Sequence, residues 1–581
     1  MSVSLSLPSA VSPGSTVPVT ARVTIPNVYL VQLNAFGKTI TLTKKSDSVF
    51  VGNLEIPSNF SGLGVITLVV DYFETSTSKT TSVTRHVTST THHVISTTAP
   101  VKMTTSAVTS TQIPYFQQVT SNTTITTPQG AKYVLVIAAG GGGTGGGAAG
   151  TVATSPNGSP TVISNGSQTI TAGGGNGGGA GSMVTNVVGQ GGTGGSGSVS
   201  GVSYYKVING VSGQSGGYTN GGNGGYVNSS YRQAINQVLS SAGLSVTADL
   251  AFPSFGGSTN SSSYGFGAGG PGSGAPYGYH NGGGGGGGGG VVVALMNPGT
   301  FNINIGQAGA PKAPFSTTCW TQCQGTQGVA YLLPIYETTS QQTFTPFTVS
   351  RFSKVPVTYN STISTPSGVK SVLVVAVGGG GAGGGSASDP TLQSGFGGDT
   401  IVSNGYQTIV AGGGGGGYSG ASNAPEVGLA TSNIPGAGGF GAVFNVPYYN
   451  ILMGNPGGSF NGGAPGGAIP TGYTSAIQQV LLNSRINTLG LSSQISLSIP
   501  STPGSSSGSA SGYGAGGTNN IGSNTYAGGA GGSGAVVVGL MNPGTFNIMV
   551  GQGGQASSQM SYANPAYANG SPGIAYLIYL Y

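Results

Sequence analysis

The chain has 581 residues and a formal net charge of +6, and only 4% of its residues are charged, against about 25% in ordinary globular proteins. Low charge with abundant Gly, Ser, Thr, Asn and Tyr excludes the highly charged class of disordered protein. The 15 Lys and Arg residues are scattered, so no basic cluster predicts a nucleic-acid-binding surface. Few carboxylates are present to be protonated in acid, which suits an acidic habitat.

Residues 1–75 are predicted to form a separate all-β domain. Val17, Val19, Ala21, Val23 and Ile25 alternate with polar residues, and residues 29–35 and 66–72 repeat this period of two. Short alternating strands at a spacing of about 10 residues indicate a β-sandwich. In general shape this segment resembles immunoglobulin-like modules.

The first seven residues alternate like a strand and lack the basic start and apolar core of a secretory signal. No apolar run reaches the roughly 18 residues that a membrane span needs, so we predict none. Eight Asn-x-Ser/Thr sequons nevertheless suit an exposed protein, although many can arise by chance in this composition. The N-glycosylation candidates are Asn59, Asn122, Asn157, Asn165, Asn228, Asn260, Asn360 and Asn569. Exposure without a secretion signal is typical of a virion component.

Residues 76–112 are rich in Ser and Thr and predict a linker or stalk. Threonine favours extended backbone, so both a stiff stalk and a coil fit this segment. His86, His92 and His93 are potential metal ligands, but solvated spacer residues are the favoured interpretation in such a stretch.

An internal duplication organises the rest of the chain, with repeat 1 at residues 113–338 and repeat 2 at residues 343–581. The apolar run 134–139 and its following glycines match residues 372–377 and the glycines after them. Late in each copy, residues 295–303 and 540–548 share the sequence Leu-Met-Asn-Pro-Gly-Thr-Phe-Asn-Ile.

Each repeat is predicted to hold one short helix in an otherwise β-rich domain. Apolar residues follow helical spacing around residues 234–244 in repeat 1 and 476–486 in repeat 2. We therefore predict an all-β fold class with a single helix per repeat.

Glycine tracts are the most unusual feature of both repeats. Gly282 to Gly290 are nine consecutive glycines that run directly into three valines, and residues 528–534 form a counterpart interrupted by Ala530 and Ser533. The glycines either form turns between strands or extended three-fold helices of the polyglycine II kind, packed side by side. No turn needs nine glycines, which favours packing, with a flexible loop as the remaining alternative. Packed tracts must then accommodate the two small side chains.

No catalytic, metal-binding or cofactor-binding constellation stands out. Asp389, Asp399 and Glu426 lie in the glycine-rich body without a second carboxylate or a histidine nearby in sequence. Strings of the form Gly-x-Gly-x-x-Gly lack the strand–turn–helix context of a dinucleotide site. Cys319 and Cys323 are a disulfide candidate in an oxidising setting and a weak metal signal otherwise.

The strand Pro-Gly-Thr-Phe-Asn-Ile after Val-Val-Val, at 298–303 and 543–548, is similar to a motif in the glycine-rich domains of phage tail-fibre and adhesin proteins. The resemblance covers residues 113–581. It implies a compact scaffold of glycine tracts whose intervening loops contact the host surface. The low charge is also similar to that of structural proteins of viruses of hot acidic archaea.

Tyrosines concentrate in the segments between the tracts. Tyrosine with Ser, Gly and Asn is the composition of antibody loops and also suits sugar binding. Tyr204–Tyr205 and Tyr448–Tyr449 occupy equivalent repeat positions, which favours a scaffold role. The receptor-binding candidates are those in stretches that differ between the copies: Tyr264, Tyr277, Tyr279 and Tyr526.

The sequence thus predicts a virion surface fibre or spike protein, not an enzyme, that mediates attachment to the host cell. Expected partners are a host surface glycan, pilus or surface-layer protein, other virion proteins through the N-terminal domain, and a homo-oligomer such as a trimer. The alternative is a cellular extracellular surface or filament protein. A glycan depolymerase would need Glu337 and the other carboxylates to meet in one groove.

Overall fold

A computed structural model describes residues 3–6, 16–23, 28–35, 38–55, 64–72, 97–101, 116–147, 155–182, 186–218, 220–258, 262–273, 281–309, 323–336, 346–387, 392–421, 435–458, 464–487, 495, 497–505, 508–519, 529–560, 562 and 565–581. The chain divides into two compact units, Met1–Gln112 and Ile113–Tyr581. Strands dominate both units, as the sequence predicts for an all-β protein. Among the described residues, no helix has the length and apolarity needed to cross a membrane.

The N-terminal unit contains two four-stranded antiparallel sheets, ordered β1-β2-β6-β5 and β4-β3-β7-β8. The period-two pattern of β2 is confirmed, since Val17, Val19, Ala21 and Val23 are buried while their neighbours are more exposed. The strands are β1 Val3–Ser6, β2 Thr16–Val23, β3 Val28–Ala35, β4 Lys38–Thr41, β5 Thr43–Ser46, β6 Val49–Glu55, β7 Gly64–Tyr72 and β8 Thr97–Val101.

Strand β8 lies within the segment 76–112 that the sequence assigned to a linker or stalk. It pairs antiparallel with β7, from Gly64 opposite Val101 to Leu68 opposite Thr97. Its threonines, which favour extended backbone, therefore lie in a sheet. The three histidines of that segment lie outside the described residues.

The C-terminal unit holds both repeats. In repeat 1 the strands are β9 Gln117–Val119, β10 Thr123–Thr126, β11 Tyr133–Ala139, β12 Thr161–Ser164, β13 Thr169–Ala172, β14 Gly197–Ser200, β15 Tyr204–Ile208, β16 Ala248–Ala251, β17 Ser254–Phe255, β18 Tyr264–Gly265, β19 Val291–Met296, β20 Thr300–Asn304 and β21 Val329–Ile335. In repeat 2 they are β22 Phe352–Val357, β23 Ser361–Ser364, β24 Ser371–Val377, β25 Ser386–Ala387, β26 Thr400–Ser403, β27 Thr408–Ala411, β28 Gly420–Ala421, β29 Gly441–Phe444, β30 Tyr448–Leu452, β31 Ser501–Thr502, β32 Ser511–Gly512, β33 Val536–Met541, β34 Thr545–Met549 and β35 Ile574–Leu580.

Two 11-residue helices form where the apolar spacing predicts them, α1 Tyr231–Ser241 and α2 Tyr473–Asn483. Both bury an Ala-Ile and a Val-Leu pair along one face, as expected of an amphipathic helix. A short third helix, α3 Pro565–Ala568, was not predicted. Its four residues are too few to show helical periodicity in the sequence.

Four sheets of the C-terminal unit form successive layers. Sheet I (β10-β20-β12-β13-β14) and sheet II (β15-β19-β11-β21-β9) enclose the core of repeat 1. Sheet III (β16-β29-β27-β26-β34-β23) and sheet IV (β22-β35-β24-β33-β30) enclose that of repeat 2. The outer face of sheet IV packs against α2.

The two repeats share a core, because the second face of sheet II packs against α1 and sheet III together. Strand β16 comes from repeat 1 yet pairs with β29 of repeat 2, Ala248 opposite Phe444 and Leu250 opposite Ala442. Phe440 of repeat 2 lies 5.1 Å from Tyr331 of repeat 1 between ring centroids. The repeats therefore form one continuous packed body.

Candidate functional site

The tract Gly282 to Gly290 lies at the centre of an array of backbone segments, and all nine glycines are buried. Each of its nine N–H groups donates to a carbonyl of another segment at 2.7–3.0 Å. The acceptors rotate with a period of three among the segments 211–217, 267–273 and 173–179. A three-residue rotation is the geometry of an extended three-fold helix.

Three further segments donate to the carbonyls of the same tract. Gly189, Gly192 and Gly195 donate along one side, Gly222 and Gly225 along a second, and residues 140, 143 and 146 along a third, at 2.7–3.0 Å. The central tract therefore has six neighbouring segments. Backbone polar groups buried this deeply need partners, and the array supplies them without using β-ladders.

Close approach of backbones explains why the tract is glycine. A Cβ added at Gly283, Gly286 or Gly289 would overlap the carbonyl oxygens of Gly146, Gly143 and Gly140, respectively. The other six positions meet backbone atoms in the same way. Backbone atoms cannot rotate out of the way as a side chain can. The tract is therefore a close-packed segment and not a flexible loop.

Repeat 2 builds the same arrangement around residues 529–535. Its seven N–H groups donate at 2.9–3.1 Å to the segments 412–418, 455–458 and 514–517. Ala530 and Ser533, which interrupt the glycines, are fully buried, and the Ser533 hydroxyl accepts a hydrogen bond from the Asn455 N–H at 2.8 Å. The packed tract thus accommodates both small side chains, as the sequence argument required.

The array has two chemically different ends. At the Gly290 end the segments continue into strands, because β19 begins at Val291, β11 ends at Ala139 and β13 ends at Ala172. At the Gly282 end they lead into 148–154, 183–185 and 274–280, which lie outside the described residues. We call this second end the tip of repeat 1. Exposed Val187 and Tyr218 flank it, with 46% and 60% of their surface accessible.

Tyr264 is the one receptor-binding candidate that the structure describes. It lies in the β17–β18 hairpin, with its ring stacked on Phe255 at 4.7 Å between centroids. Phe255 is 43% exposed, and partial burial raises the pKa of Tyr264. Tyr277, Tyr279 and Tyr526 lie outside the described residues. The hairpin therefore offers an aromatic pair that is separate in sequence from the tip segments.

Tyr449 has a contact that sequence reasoning missed. Asp249 is buried and accepts hydrogen bonds from Arg232, Nε to Oδ1 at 2.9 Å. The Tyr449 hydroxyl also bonds Asp249, and burial raises the tyrosine pKa. These three side chains connect α1 and β16 of repeat 1 to β30 of repeat 2. The sequence predicts a scaffold role for Tyr448–Tyr449 and for the equivalent pair Tyr204–Tyr205. In repeat 2, Tyr449 lies at the junction between the repeats, whereas Tyr205 in repeat 1 is exposed.

Asp399 is the described member of the acidic residues considered for catalysis. It lies just before β26, where Oδ1 accepts the Gly413 N–H at 3.0 Å. Burial raises the pKa of this carboxyl to about 6. Asp389, Glu426 and Glu337 lie outside the described residues, and within the described part no three potential ligands are grouped to hold a metal ion.

Six of the eight sequon asparagines are described, and all six make structural hydrogen bonds through their amides. Asn165 donates from Nδ2 to Gln168 Oε1 at 3.2 Å and to the Asn297 carbonyl at 2.9 Å. The others accept backbone N–H groups through Oδ1: Asn122, Asn157, Asn228, Asn360 and Asn569. Asn59 and Asn260 lie outside the described residues.

Cys323 is buried and disulfide-bonded, while Cys319, the other cysteine of the chain, lies outside the described residues. No protein-family model matches the chain, and neither a curated protein nor a solved structure shows significant similarity to it. We therefore infer a function from the geometry of the glycine arrays.

Proposed function

We propose that this protein is a virion surface fibre or spike protein that attaches the particle to its host cell. The observation that carries the proposal is the six-neighbour glycine array, which we infer to be a polyglycine II-like lattice. Such an array fixes the described residues that flank segments 148–154, 183–185 and 274–280 in sequence. Segment 274–280 contains Tyr277 and Tyr279 beside glycines, a composition that suits recognition of a host glycan, pilus or surface-layer protein.

In this proposal the N-terminal unit is an immunoglobulin-like sandwich that contacts other virion proteins. Its two four-stranded antiparallel sheets support that assignment. The remaining Ser/Thr-rich residues between the units would act as a spacer, and trimerisation would multiply the number of tips on each spike.

A discrete spike is favoured over a polymerising filament by the chemistry of the outer sheets. In repeat 2, Ile401, Val410 and Phe444 of sheet III are buried against repeat 1. The equivalent positions of sheet I carry Val162, Thr171 and Ser200, which stay at least partly accessible. A filament built by repeating the internal junction would need an apolar face there.

Two measurements test the proposal. Antibodies raised against the full chain should label purified virus particles in immunogold electron microscopy, and the purified full chain should bind envelope fractions of the host cell. Labelling confined to the envelope of uninfected cells would favour the cellular surface protein instead. Absence of binding to every envelope fraction by folded protein would contradict an attachment role.

A further inference from the structure

The four Lys and Arg residues of repeat 2 are far apart in the sequence, but the fold brings them to one corner of sheet IV. Two of them precede strands of this sheet, one lies within its edge strand β22, and one follows helix α2. All four side chains belong to exposed residues. They are Arg351, Lys354, Lys370 and Arg485.

The strand register places two of these cations side by side. Arg351 directly precedes β22 and Lys370 directly precedes β24. Both strands pair antiparallel with β35, so they run in the same direction and begin at the same end of the sheet. Phe352 and Ser371, the first residues of the two strands, both lie opposite Leu580. Two strand spacings therefore separate the cations, which is about 10 Å between α-carbons.

The segment that follows α2 places Arg485 at the same corner. The Asn487 N–H donates to the Phe347 carbonyl at 3.0 Å, and the Val349 N–H donates to the Asn487 carbonyl at 2.7 Å. The Phe347 ring also contacts the Lys370 ammonium, with Nζ 5.3 Å from the ring centroid. We call the three residues Arg351, Lys370 and Arg485 the cationic corner.

Arg485 has a backbone conformation that a long side chain rarely adopts, with φ +56°. The equivalent residue of repeat 1, also two positions after its helix, is Gly243 with φ +71°. Glycine adopts this left-handed conformation without steric strain, whereas arginine does not. Repeat 2 therefore keeps a strained arginine at an exposed position where glycine fits. Strain of this kind is a pointer to function.

Aromatic rings hold the other two members of the cationic corner in place. The Arg351 guanidinium lies 4.2 Å from the centroid of the Tyr581 ring, and the Lys370 ammonium lies over Phe347. A ring attracts a cation through its quadrupole, but it carries no net negative charge as a carboxylate does. The rings thus fix the cations without neutralising them, and their positive charge still attracts an anion.

Protection of the sheet edge accounts for only one of the four basic residues. Lys354 and Pro356 lie on the edge strand β22, and lysine and proline at an edge hinder pairing with another chain. Lys370, by contrast, precedes the central strand β24, and Arg485 follows a helix. Neither of these two residues protects an edge, so their convergence needs a different explanation.

From these observations we infer that the cationic corner binds an acidic saccharide through its carboxylate or sulfate groups. Cations about 10 Å apart suit charges that are carried on separate sugar rings. Nucleic acid, with a charge about every 1.7 Å, is bound by denser basic surfaces. The exposed residues Thr348 and Ser353 add hydroxyl groups for hydrogen bonds to the sugar. That the saccharide belongs to the host surface rests on the attachment function proposed above, whereas the binding itself does not.

The test compares the full chain with three variants of the cationic corner: Arg351→Ala, Lys370→Ala and Arg485→Gly. The matched control is Lys206→Ala, which removes an exposed cation from the edge strand β15 of repeat 1. Arg485→Gly installs the residue that repeat 1 has at the equivalent position and relieves the backbone strain. Its Tm should therefore equal or exceed that of the unmodified chain, which separates a loss of binding from a loss of folding.

Binding is measured on immobilised heparin, polygalacturonate and neutral dextran, with thermal unfolding in parallel. We expect the unmodified chain to bind the two acidic polysaccharides and not dextran. Each corner substitution should weaken binding about fivefold, the loss typical of one Lys or Arg at an anionic surface. Lys206→Ala should stay within about twofold of the unmodified chain, because an isolated surface charge contributes little.

Equal losses in Lys206→Ala and in the corner variants would overturn the assignment to this corner. Tighter binding to a thymidine oligonucleotide or to phosphatidylglycerol vesicles than to either acidic polysaccharide would refute the ligand class, as would equal binding to dextran. A chain that binds host envelopes but neither acidic polysaccharide would refute the inference and leave the attachment function in place. Binding to the polysaccharides without binding to any host envelope would support the corner and contradict attachment.

Discussion

Single glycines of the central tract are replaceable only where the lattice leaves room for a side chain. In Gly286→Ala the new Cβ would overlap the Gly143 carbonyl oxygen, which belongs to a neighbouring segment. Backbone must then shift in a buried array, and we expect a loss of about 3 kcal/mol or more in unfolding free energy. Chemical denaturation of the full chain measures it.

Two controls separate steric overlap from the general effect of altering a glycine. Gly130→Ala lies at φ +89° with nothing within 4 Å of the new Cβ, so only backbone strain of about 1 kcal/mol is expected. Ala530→Gly, in the equivalent tract, should cost about 1 kcal/mol through backbone entropy. A Gly286→Ala variant as stable as Gly130→Ala would contradict the packed array.

Sequon occupancy should follow the hydrogen bonds of the asparagine amides. N-glycosylation joins the sugar to Nδ2, which in Asn165 already donates two hydrogen bonds. Asn122 and Asn360 are exposed and use Oδ1 instead. In a glycosylating expression host we expect glycans at Asn122 and Asn360 and an unmodified Asn165, read by peptide mass spectrometry. Full occupancy of Asn165 would contradict its structural role.

The junction strand β16 is stabilised by an ion pair that strand pairing alone does not explain. Asp249→Ala removes the partner of Arg232, whose side chain is 40% exposed, and of the Tyr449 hydroxyl. Because the arginine retains access to water, the expected loss is about 1–3 kcal/mol, below that of a fully buried pair. Thermal unfolding should show it.

The matched control is Asp47→Ala, which breaks a surface pair with Lys44 in the N-terminal unit. Exposed pairs contribute little, so its Tm should stay unchanged. Equal effects of the two substitutions would mean that the Arg232–Asp249 pair does not hold the repeats together.

Elements with a local signal could be predicted from the sequence, and elements that depend on distant partners could not. The apolar spacing of α1 and α2 and the alternation of β2 predicted those elements correctly. Nothing in Ala248-Asp249-Leu250-Ala251 predicts a strand, because its partner β29 lies nearly two hundred residues away. The glycine tracts likewise lack side chains that could encode which six segments surround each one.

The candidate site divides in the same way. The composition of the segments between the tracts predicts recognition loops there, and this stays a prediction. Asn281, which is buried at the start of the nine-glycine tract, carries no sequence signal that separates it from many other asparagines. Its importance follows from contacts with residues 182 and 186, almost a hundred positions earlier. Three of the four predicted receptor-binding tyrosines lie outside the described residues, and a receptor-binding role of all four stays a prediction.

At the scale of the whole molecule, the two outermost of the four sheets in the C-terminal unit have outer faces of different polarity. Sheet IV is closed by α2 and a mostly apolar cluster, while the outer face of sheet I carries Thr, Ser and Asn side chains such as Thr124, Thr126 and Asn302. Terminal repeats with polar outer faces limit stacking in repeat proteins. The duplication therefore produces a body of defined length.

Because the chain has few carboxylates, a single titrating group can strongly affect how the stability of the protein changes with pH. The pKa of Asp399 is raised to about 6 in the folded chain by burial, from an ordinary value of 3.8. Between these values the folded state binds more protons than the unfolded state, so stability falls as the pH rises from 4 through 6. The difference is at most about 3 kcal/mol, and less to the extent that solvent reaches the carboxyl.

Calorimetric unfolding from pH 3 to pH 7 measures this dependence. We expect the unmodified chain to be most stable at or below pH 4 and Asp399→Asn to lose most of that slope, because its amide cannot ionise. Asp47→Asn, at a fully exposed surface position, should keep the slope of the unmodified chain. Stability that instead rises between pH 4 and pH 6, or a slope that persists in Asp399→Asn, would show that other groups set the response. Stability that increases in acid would support the acidic habitat that we infer from the scarcity of carboxylates.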